Sequence, residues 1–200
     1  MSFTPTPMPA SGPLALSLQS GEGTRMRLRP AVPQDAAALG AFGRQAFVAA
    51  FGHCYARSDL DTFLAKVYSE AATRADLADP DLRVQLAVDG AGIAGYCKMR
   101  MACGWPDHAR GRATVELKQL YVDPLRTGQA IGARLMDWAL GEARGHGADE
   151  VQLSVWSENF GAQRFYARYG FAKVADIDFW VGSHRDEEFL FSLALDACRS

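Results

Sequence analysis

Small residues follow a proline-marked turn in the middle of the chain, and their spacing suits an anion-binding loop. Asp123 and Pro124 form the turn, and residues 127–132 then read Thr-Gly-Gln-Ala-Ile-Gly, with an amphipathic helix predicted from about Ala130. A helix N-terminus presents unpaired backbone N–H groups and the positive end of the helix dipole. Residues with little or no side chain leave that backbone accessible. We therefore expect this loop to hold the pyrophosphate of a nucleotide-type cofactor, with an ordinary strand-to-helix connection as the alternative.

Two common phosphate-binding motifs do not fit this loop. The Walker pattern requires a Lys after its last Gly, whereas Gly132 is followed by Ala133 and Arg134. The glycine-rich dinucleotide fingerprint is also missing, as is the early strand that it should follow. Nucleotide triphosphates and nicotinamide or flavin dinucleotides are therefore not the expected ligands.

The strand before the loop, residues 114–122, changes its hydrophobic phase. Its apolar residues are Val115 and Leu117 before the polar pair at 118–119, and Leu120 and Val122 after it. One extra residue in a strand reverses its faces, so this pattern predicts a β-bulge. A bulge leaves backbone N–H and C=O groups unpaired, and these groups become available to a ligand.

The elements around this stretch alternate between helices and strands. We predict an edge strand at 25–30, a helix from 33, a second helix beginning near Ser58 or Asp59 and ending before Pro80, and a hairpin at 84–101. After the 130–144 helix come a strand at 151–156, a short helix at 157–169, and strands at 171–181 and 188–195. The predicted fold class is α/β (α+β), with a mixed, mostly antiparallel sheet, a bulged fourth strand and about four flanking helices.

Composition narrows the function classes. Of the 200 residues 48% are apolar and 22% are charged, and the net charge is −2, so there is no basic signature for nucleic acid. We expect residues 1–23, rich in Pro, Ser, Thr and Gly, to be a flexible leader, and 24–200 to be one domain. There is no transmembrane run and no secretory signal, and the cysteines have no metal-like spacing. The expected location is the cytoplasm, with no membrane partner and no bound metal.

Several separated motifs together resemble the GCN5-related N-acetyltransferase (GNAT) family. The chain has Leu-Tyr-Val-Asp-Pro at 120–124, the small-residue loop at 127–132, Asn159, and Phe-Tyr-Ala-Arg-Tyr-Gly-Phe at 165–171. Their order and spacing match the family over residues 25–195. Thr127 stands where the family has Arg or Gln, and Ala130 stands where it has its first glycine. The resemblance implies the GNAT fold and acetyl-coenzyme A as cosubstrate.

The resemblance also implies roles for particular residues. Tyr166 would be the general acid that protonates the departing coenzyme A thiolate, and Asn159 would contact the pantetheine arm. Leu120 would offer its backbone to the acetyl carbonyl and Val122 to the pantetheine amide. The residues implied in cofactor binding are Leu120, Tyr121, Val122, Thr127, Gly128, Gln129, Ala130, Ile131, Gly132, Ala133, Asn159, Ala162 and Tyr166.

An amine acceptor needs a base, because it arrives as an ammonium ion and must lose a proton before it attacks. Glu116 lies on the bulged strand, on the face opposite Val115 and Leu117, and its carboxylate could take that proton directly or through water. A surface Glu paired with Lys or Arg is the alternative reading of Glu116.

A narrower resemblance points to the acceptor. The segments 47–55, 95–99, 155–159 and 179–188 are similar to bacterial PaiA-type spermidine/spermine N-acetyltransferases. A polyamine would favour an acidic, aromatic-lined groove. The candidates for it are Tyr55, Trp105 and Trp180, with the carboxylates Asp59, Asp61 and Glu187.

These observations predict an N-acetyltransferase that moves an acetyl group from acetyl-coenzyme A directly to a small primary amine such as spermidine. Direct attack is expected because the cofactor elements contain no cysteine nucleophile. Two alternatives stay open: acetylation of a protein N-terminus or lysine, and a non-catalytic acyl-coenzyme A sensor. The protein is expected to be a monomer or a homodimer.

Overall fold

The computed structural model describes residues 25–195, which form seven β-strands and five α-helices. The strands are β1 (Arg27–Pro30), β2 (Leu82–Asp89), β3 (Gly92–Arg100), β4 (Thr114–Val122), β5 (Glu150–Trp156), β6 (Ala172–Val181) and β7 (His184–Ala194). The helices are α1 (Ala36–Phe51), α2 (Arg57–Tyr68), α3 (Glu70–Ala78), α4 (Ile131–Gly145) and α5 (Phe160–Arg168). The predicted leader, residues 1–23, lies outside the described residues.

All the strands belong to one sheet, in the order β1-β2-β3-β4-β5-β7-β6. Every neighbouring pair is antiparallel except β4 and β5, which are parallel. The predicted fold class, a mixed and mostly antiparallel sheet with flanking helices, is confirmed. A parallel pair needs a crossover, and α4 provides it between β4 and β5.

Helices cover both faces of the sheet because the central strands are apolar on both sides. On one face, α4 packs against β2, β3 and β4 and buries Ile131, Leu135 and Met136. On the other face, Leu39 of α1 packs with Leu86 and other β2 side chains. Covering both faces makes the sheet a rigid support for the groups at its centre.

The second predicted helix is two helices, which corrects the prediction for residues 58–79. The helix breaks at Ser69, whose backbone is extended (φ −66°, ψ 155°) and whose hydroxyl accepts a hydrogen bond from the Ala72 amide at 3.2 Å. This hydroxyl caps α3, so a serine inside a continuous apolar pattern starts a new helix there. None of the helices described here is long and apolar enough to cross a membrane.

Candidate active site

The sheet opens between its two central strands. Strands β4 and β5 pair only at Thr114–Glu150, Val115–Val151 and Glu116–Gln152. Beyond these positions β4 continues along β3, while β5 continues along β7 as far as Trp156. The result is a cleft of about 670 Å³ between the diverging strands, which reaches the helices on the α1 side of the sheet.

The predicted bulge lies in β4 at Lys118. Lys98 of β3 pairs with Gln119 and Met99 pairs with Leu117, so Lys118 has no partner of its own on β3. The Asp123 amide donates to the Ala94 carbonyl at 2.9 Å, which turns Asp123 toward β3. Because backbone groups alternate along a strand, those of Leu120 and Val122 face away from β3 and toward the opening. This is the direction needed for the backbone contacts predicted for these two residues.

The loop before α4 presents a row of free amides. Asp123 accepts a hydrogen bond from the Leu125 amide at 3.0 Å, and the chain then passes through positive φ at Gly128 (79°) and Ala130 (58°). No amide from Gly128 to Ala133 donates a hydrogen bond to any other residue that the structure describes. An unpaired row of N–H groups at a helix N-terminus fits a pyrophosphate.

No cationic side chain reaches into this loop from its own sequence. Arg126 forms an ion pair with Asp89 in the β2–β3 turn, and this pairing holds the pKa of Asp89 below its usual range. The hydroxyl of Thr127 donates to the Pro124 carbonyl at 3.3 Å. Backbone amides and the helix dipole are therefore the groups of this loop that could attract an anion.

Helix α5 brings Tyr166, Asn159 and Ala162 to the cleft wall. The Asn159 side chain caps the helix by accepting from the Ala162 amide at 3.0 Å, so its side-chain NH₂ is the group left to meet a ligand. Tyr166 is 8% exposed, and its hydroxyl has no hydrogen-bond partner among residues 25–195. Burial, and next the nearby Cys97 thiol, raise the pKa of Tyr166 well above its ordinary value. The phenol therefore keeps its proton at neutral pH, as a general acid must.

Glu116 lines the cleft but is held by two basic groups. Its carboxylate lies 3.4 Å from the Lys118 ammonium and 3.8 Å from the Arg100 guanidinium. It is 7% exposed. The sequence alternative, a Glu paired with Lys and Arg, is thus the state in the structure, and the base role remains a prediction.

Two of the three predicted acceptor-binding aromatic residues lie in the cleft. Tyr55 and Trp105 line it, whereas Trp180 is 56% exposed and outside it. Adjacent residues of a strand face opposite ways, so placing Phe179 in the cleft directs Trp180 outward. Trp180 therefore lies apart from the other two, and its role in acceptor binding stays a prediction.

Asp59 has a structural function. It accepts hydrogen bonds from the Ser183 amide and hydroxyl, at 3.2 and 2.9 Å, and so joins the start of α2 to the β6–β7 turn. Tyr55 makes a second link, donating to Asp186 at 2.5 Å. These two links join the start of α2 to β7 and the turn before it, at one side of the cleft that Tyr55 and Asp186 line.

The sequence interpretation missed Glu188 and Asp186. Both lie on β7 and line the cleft, and burial raises the pKa of Glu188. The alternation of residues 184–190 could have placed them on one face, but not within a cleft whose other walls come from distant segments. No group of three or more His, Cys, Asp or Glu residues that could hold a metal ion occurs in the described part of the chain.

Comparison with known proteins identifies the class. A model of the acetyltransferase (GNAT) family matches residues 44–171, more than half of the chain. An uncharacterised N-acetyltransferase of Mycobacterium tuberculosis (strain ATCC 25618 / H37Rv) is 31% identical over 157 residues, which cover 78% of this chain and 95% of the relative. The chain belongs to the GNAT family and is an N-acetyltransferase.

Two further similarities are more limited. An aminoalkylphosphonate N-acetyltransferase of Salmonella typhimurium is 35% identical over 97 residues, which cover 48% of this chain and 61% of the relative. The crystal structure of the PaiA N-acetyltransferase from Thermoplasma acidophilum in complex with coenzyme A has a TM-score of 0.69 at 20% identity, covering 85% of this chain and 99% of that chain. This structural likeness confirms the predicted GNAT fold.

Proposed function

We propose that the protein transfers the acetyl group of acetyl-coenzyme A to a primary amine of a small polyamine-type molecule, by direct attack in a ternary complex. The observation that carries the proposal is a cleft with two unlike ends. One end is bounded by Leu120 and Tyr121 of β4 and by Asn159 and Ala162 at the start of α5, and the other is aromatic and acidic. The free amides of residues 128–133 follow β4 along the chain, beyond the cleft lining. The reacting centre would lie where the two ends meet.

The cofactor end fits coenzyme A. The amides from Gly128 to Ala133 would bind its pyrophosphate, and the backbone of Val122 with the Asn159 side chain would bind the amides of its pantetheine arm. The parting of β4 from β5 leaves room for that arm between the strands. When bound, acetyl-coenzyme A supplies an acetyl thioester.

The residues around that thioester would have separate roles in the transfer. The Leu120 N–H lies on the side of β4 that faces the opening and would stabilise the negative charge that develops on the acetyl oxygen. The Tyr166 hydroxyl would give its proton to the departing sulfur and regain one from water. A carboxylate must take a proton from the acceptor, and both Glu116 and Glu188 line the cleft.

The acceptor end has the properties that a flexible polycation requires. Asp186 and Glu188 lie two residues apart on one face of β7, about 6.5 Å along the strand. That spacing suits two ammonium groups separated by a short methylene chain. Aromatic rings around them allow methylene packing and cation–π contact. The rings that line the cleft belong to Phe47, Phe51, Tyr55, Phe63, Tyr68, Trp105, Tyr121, Trp156, Tyr166 and Phe179.

A panel of acceptors tests the proposal. Thiol release from acetyl-coenzyme A should be measured with spermidine, spermine, a diamine, a monoamine of equal length, an aminoalkylphosphonate, and peptides bearing a free N-terminus or a lysine. We expect kcat/KM for polyamines to exceed that for the monoamine at least about tenfold, since one added ion pair to a partly buried carboxylate contributes about 1.5 kcal/mol or more.

Each other result contradicts a stated part of the proposal. Preference for a peptide would assign the protein to the protein acetyltransferases, and preference for the phosphonate would agree with the Salmonella relative. If calorimetry shows coenzyme A binding but no amine causes thiol release from acetyl-coenzyme A, the protein would be a sensor. Absence of coenzyme A binding at millimolar concentration would refute the cofactor site itself.

The proposed setting is the cytoplasm. Cys54, Cys97 and Cys103 are free thiols, which are usual in a reducing compartment. Cys97 is fully buried and its environment raises its pKa, so it is an inert thiol.

A further inference from the structure

Glu188 differs from the other carboxylates of the cleft in having no basic partner among residues 25–195. Its distinguishing property is the lack of any basic partner in this range, because Asp76, Glu116 and Asp178 each pair with a Lys or Arg and Asp186 lies beside His184. The pairs are Asp76 with Lys98, Glu116 with Arg100 and Lys118, and Asp178 with Arg185. Burying a carboxylate without a counter-charge in an aromatic cleft costs free energy, unless a cationic ligand binds beside it.

The position of Glu188 places it beside the reacting centre. Glu188 lies on β7, opposite Trp156 of the neighbouring strand β5. Trp156 is the last residue of β5, where that strand borders the opening. The side chains of Tyr121 and Tyr166 line the same cleft as Glu188. Glu188 therefore lies on the β7 wall of the cleft that also holds the candidate general acid.

The surroundings of Glu188 favour its neutral form. Burial raises its pKa, and the charge of Asp186 adds to this, while interaction with the Ser154 hydroxyl opposes both. The cleft that it lines contains further ionisable groups, some of them charged. These are Tyr55 before α2, Lys66 and Tyr68 on α2, Asp76 on α3, Lys98 on β3, Glu116, Lys118 and Tyr121 on β4, Tyr166 on α5, and Asp178 on β6. Lys98 and Lys118 are each paired with an acid, and Lys66, which also lines the cleft, makes no ion pair with Glu188.

We propose that Glu188, rather than Glu116, is the general base that takes the proton from the acceptor's ammonium group. This rests on the proposed acetyl transfer to an amine. The Glu188 carboxylate takes one N–H proton and later returns it to water. The freed lone pair of the nitrogen forms the N–C bond as the C–S bond breaks, Tyr166 protonates the sulfur, and the second N–H proton leaves to water.

Glu116 is less suited to this step for an electrostatic reason. Taking up a proton would neutralise its carboxylate between the Arg100 guanidinium and the Lys118 ammonium, leaving two cations without their counter-charge. Protonation of Glu188 instead removes an uncompensated charge from a partly buried site. A carboxylate with a raised pKa is also a stronger base toward an ammonium ion.

The test compares Glu188→Gln with Glu116→Gln over a range of pH. We expect Glu188→Gln to lower kcat with the best amine about 100-fold near pH 7.5, with coenzyme A affinity unchanged by calorimetry. The rise of kcat/KM with pH on the acidic side should disappear in Glu188→Gln and persist in Glu116→Gln. With a weakly basic amine, which is already unprotonated, Glu188→Gln should approach the wild-type rate.

Controls separate catalysis from folding and from binding. Glu70→Gln removes an exposed carboxylate of α3 and should leave turnover unchanged. Glu188→Asp should restore part of the lost rate. The proposal is overturned if kcat/KM of Glu188→Gln still rises with pH on the acidic side, or if the substitution raises KM without lowering kcat. It is also overturned if the loss of kcat is equal for strongly and weakly basic amines. Absence of turnover by the wild type with every amine would refute the proposed function instead.

Discussion

At the scale of single residues, Ala130 adopts a loop conformation that glycine usually adopts. It is the one non-glycine residue with positive φ in the described chain, and it stands directly before α4. The left-handed conformation costs an L-residue about 1–2 kcal/mol. This strained conformation directs the amides that follow Ala130 outward, toward the proposed pyrophosphate site.

We expect Ala130→Gly to leave the free energy of unfolding unchanged or raise it by up to about 1 kcal/mol, because glycine adopts positive φ without a Cβ clash. Ala130→Val should lower that free energy by more than 1 kcal/mol, since a β-branched residue tolerates this conformation worst. Urea unfolding measures both. Coenzyme A calorimetry should show weaker binding to the valine variant, and equal stability of the two variants would contradict the geometry.

Tyr166 allows a second prediction at this scale. Tyr166→Phe removes only the hydroxyl and should lower kcat about 100-fold at neutral pH while coenzyme A affinity stays within about twofold. Tyr169→Phe is the matched control, because the Tyr169 hydroxyl donates to the Ala133 carbonyl at 3.3 Å and is not part of the cleft lining. Equal turnover of wild type and Tyr166→Phe would remove Tyr166 from the mechanism.

Residue-level prediction from the sequence succeeded where the signal was local. The phase change around Lys118 and the small residues after Pro124 each lie within a few positions, so bulge and loop could be predicted. Glu188 could not, because its importance comes from what distant segments do to it: burial by other elements and the absence of a cation. The outward direction of Trp180 could not be predicted for the same reason, since only the packing of α2 decides which face of β6 is covered.

At the scale of elements, Glu150 stabilises the point from which β4 and β5 diverge. Its carboxylate accepts hydrogen bonds from the Arg110 and Gly111 amides at 2.7 and 2.6 Å and from the Thr114 hydroxyl at 2.9 Å, and a further one from Ser192. Burial opposes ionisation, but these hydrogen bonds prevail, and the net effect lowers the pKa of Glu150.

We expect Glu150→Gln to lower the free energy of unfolding by about 2–3 kcal/mol at neutral pH, since an amide cannot accept from all these donors. A carboxyl group with a depressed pKa in the folded state stabilises above its unfolded pKa, about 4.3, and that contribution is lost as the pH falls. The difference from wild type should therefore shrink in acid. A constant difference from pH 7 to pH 3, measured by urea unfolding, would contradict this account.

The break between α2 and α3 shows why element boundaries were harder to predict than element types. Residues 58–79 contain no Gly or Pro before Pro80, so the pattern predicts one helix. Ser69 divides it because its hydroxyl caps the next helix. Serine is also tolerated inside helices, so only tertiary packing decides between the two states.

At the scale of the whole molecule, the acceptor end is enclosed by segments far apart in the chain. Asp59 is hydrogen-bonded to Ser183 across 124 residues, and Tyr55 to Asp186 across 131. These contacts bring the start of α2 and the β6–β7 turn together as one wall. The positive φ of Gly182 (59°) in that turn allows the approach, since a Cβ there would lie 2.3 Å from the Asp59 side chain.

Asp59→Ala should loosen this wall without touching the cofactor end. We expect KM for the amine to rise about tenfold, a loss of about 1.4 kcal/mol of acceptor binding, while coenzyme A affinity is unchanged. Arg57→Ala is a matched control, because it removes an exposed ion pair at the start of the same helix. Parallel losses for amine and coenzyme A in Asp59→Ala would indicate general unfolding instead.

The divergence of β4 from β5 gives a central strand the hydrogen-bonding properties of an edge strand. The amides of Leu120 and Val122 lie within the sheet yet face no neighbouring strand. In hydrogen–deuterium exchange they should therefore lose their protons rapidly in the free protein, while Tyr121, turned toward β3, exchanges slowly. Saturating acetyl-coenzyme A should slow exchange at Leu120 and Val122, and at the amides of residues 128–133, while leaving Tyr121 unchanged. Slow exchange at these two amides without ligand would show that the opening closes in solution.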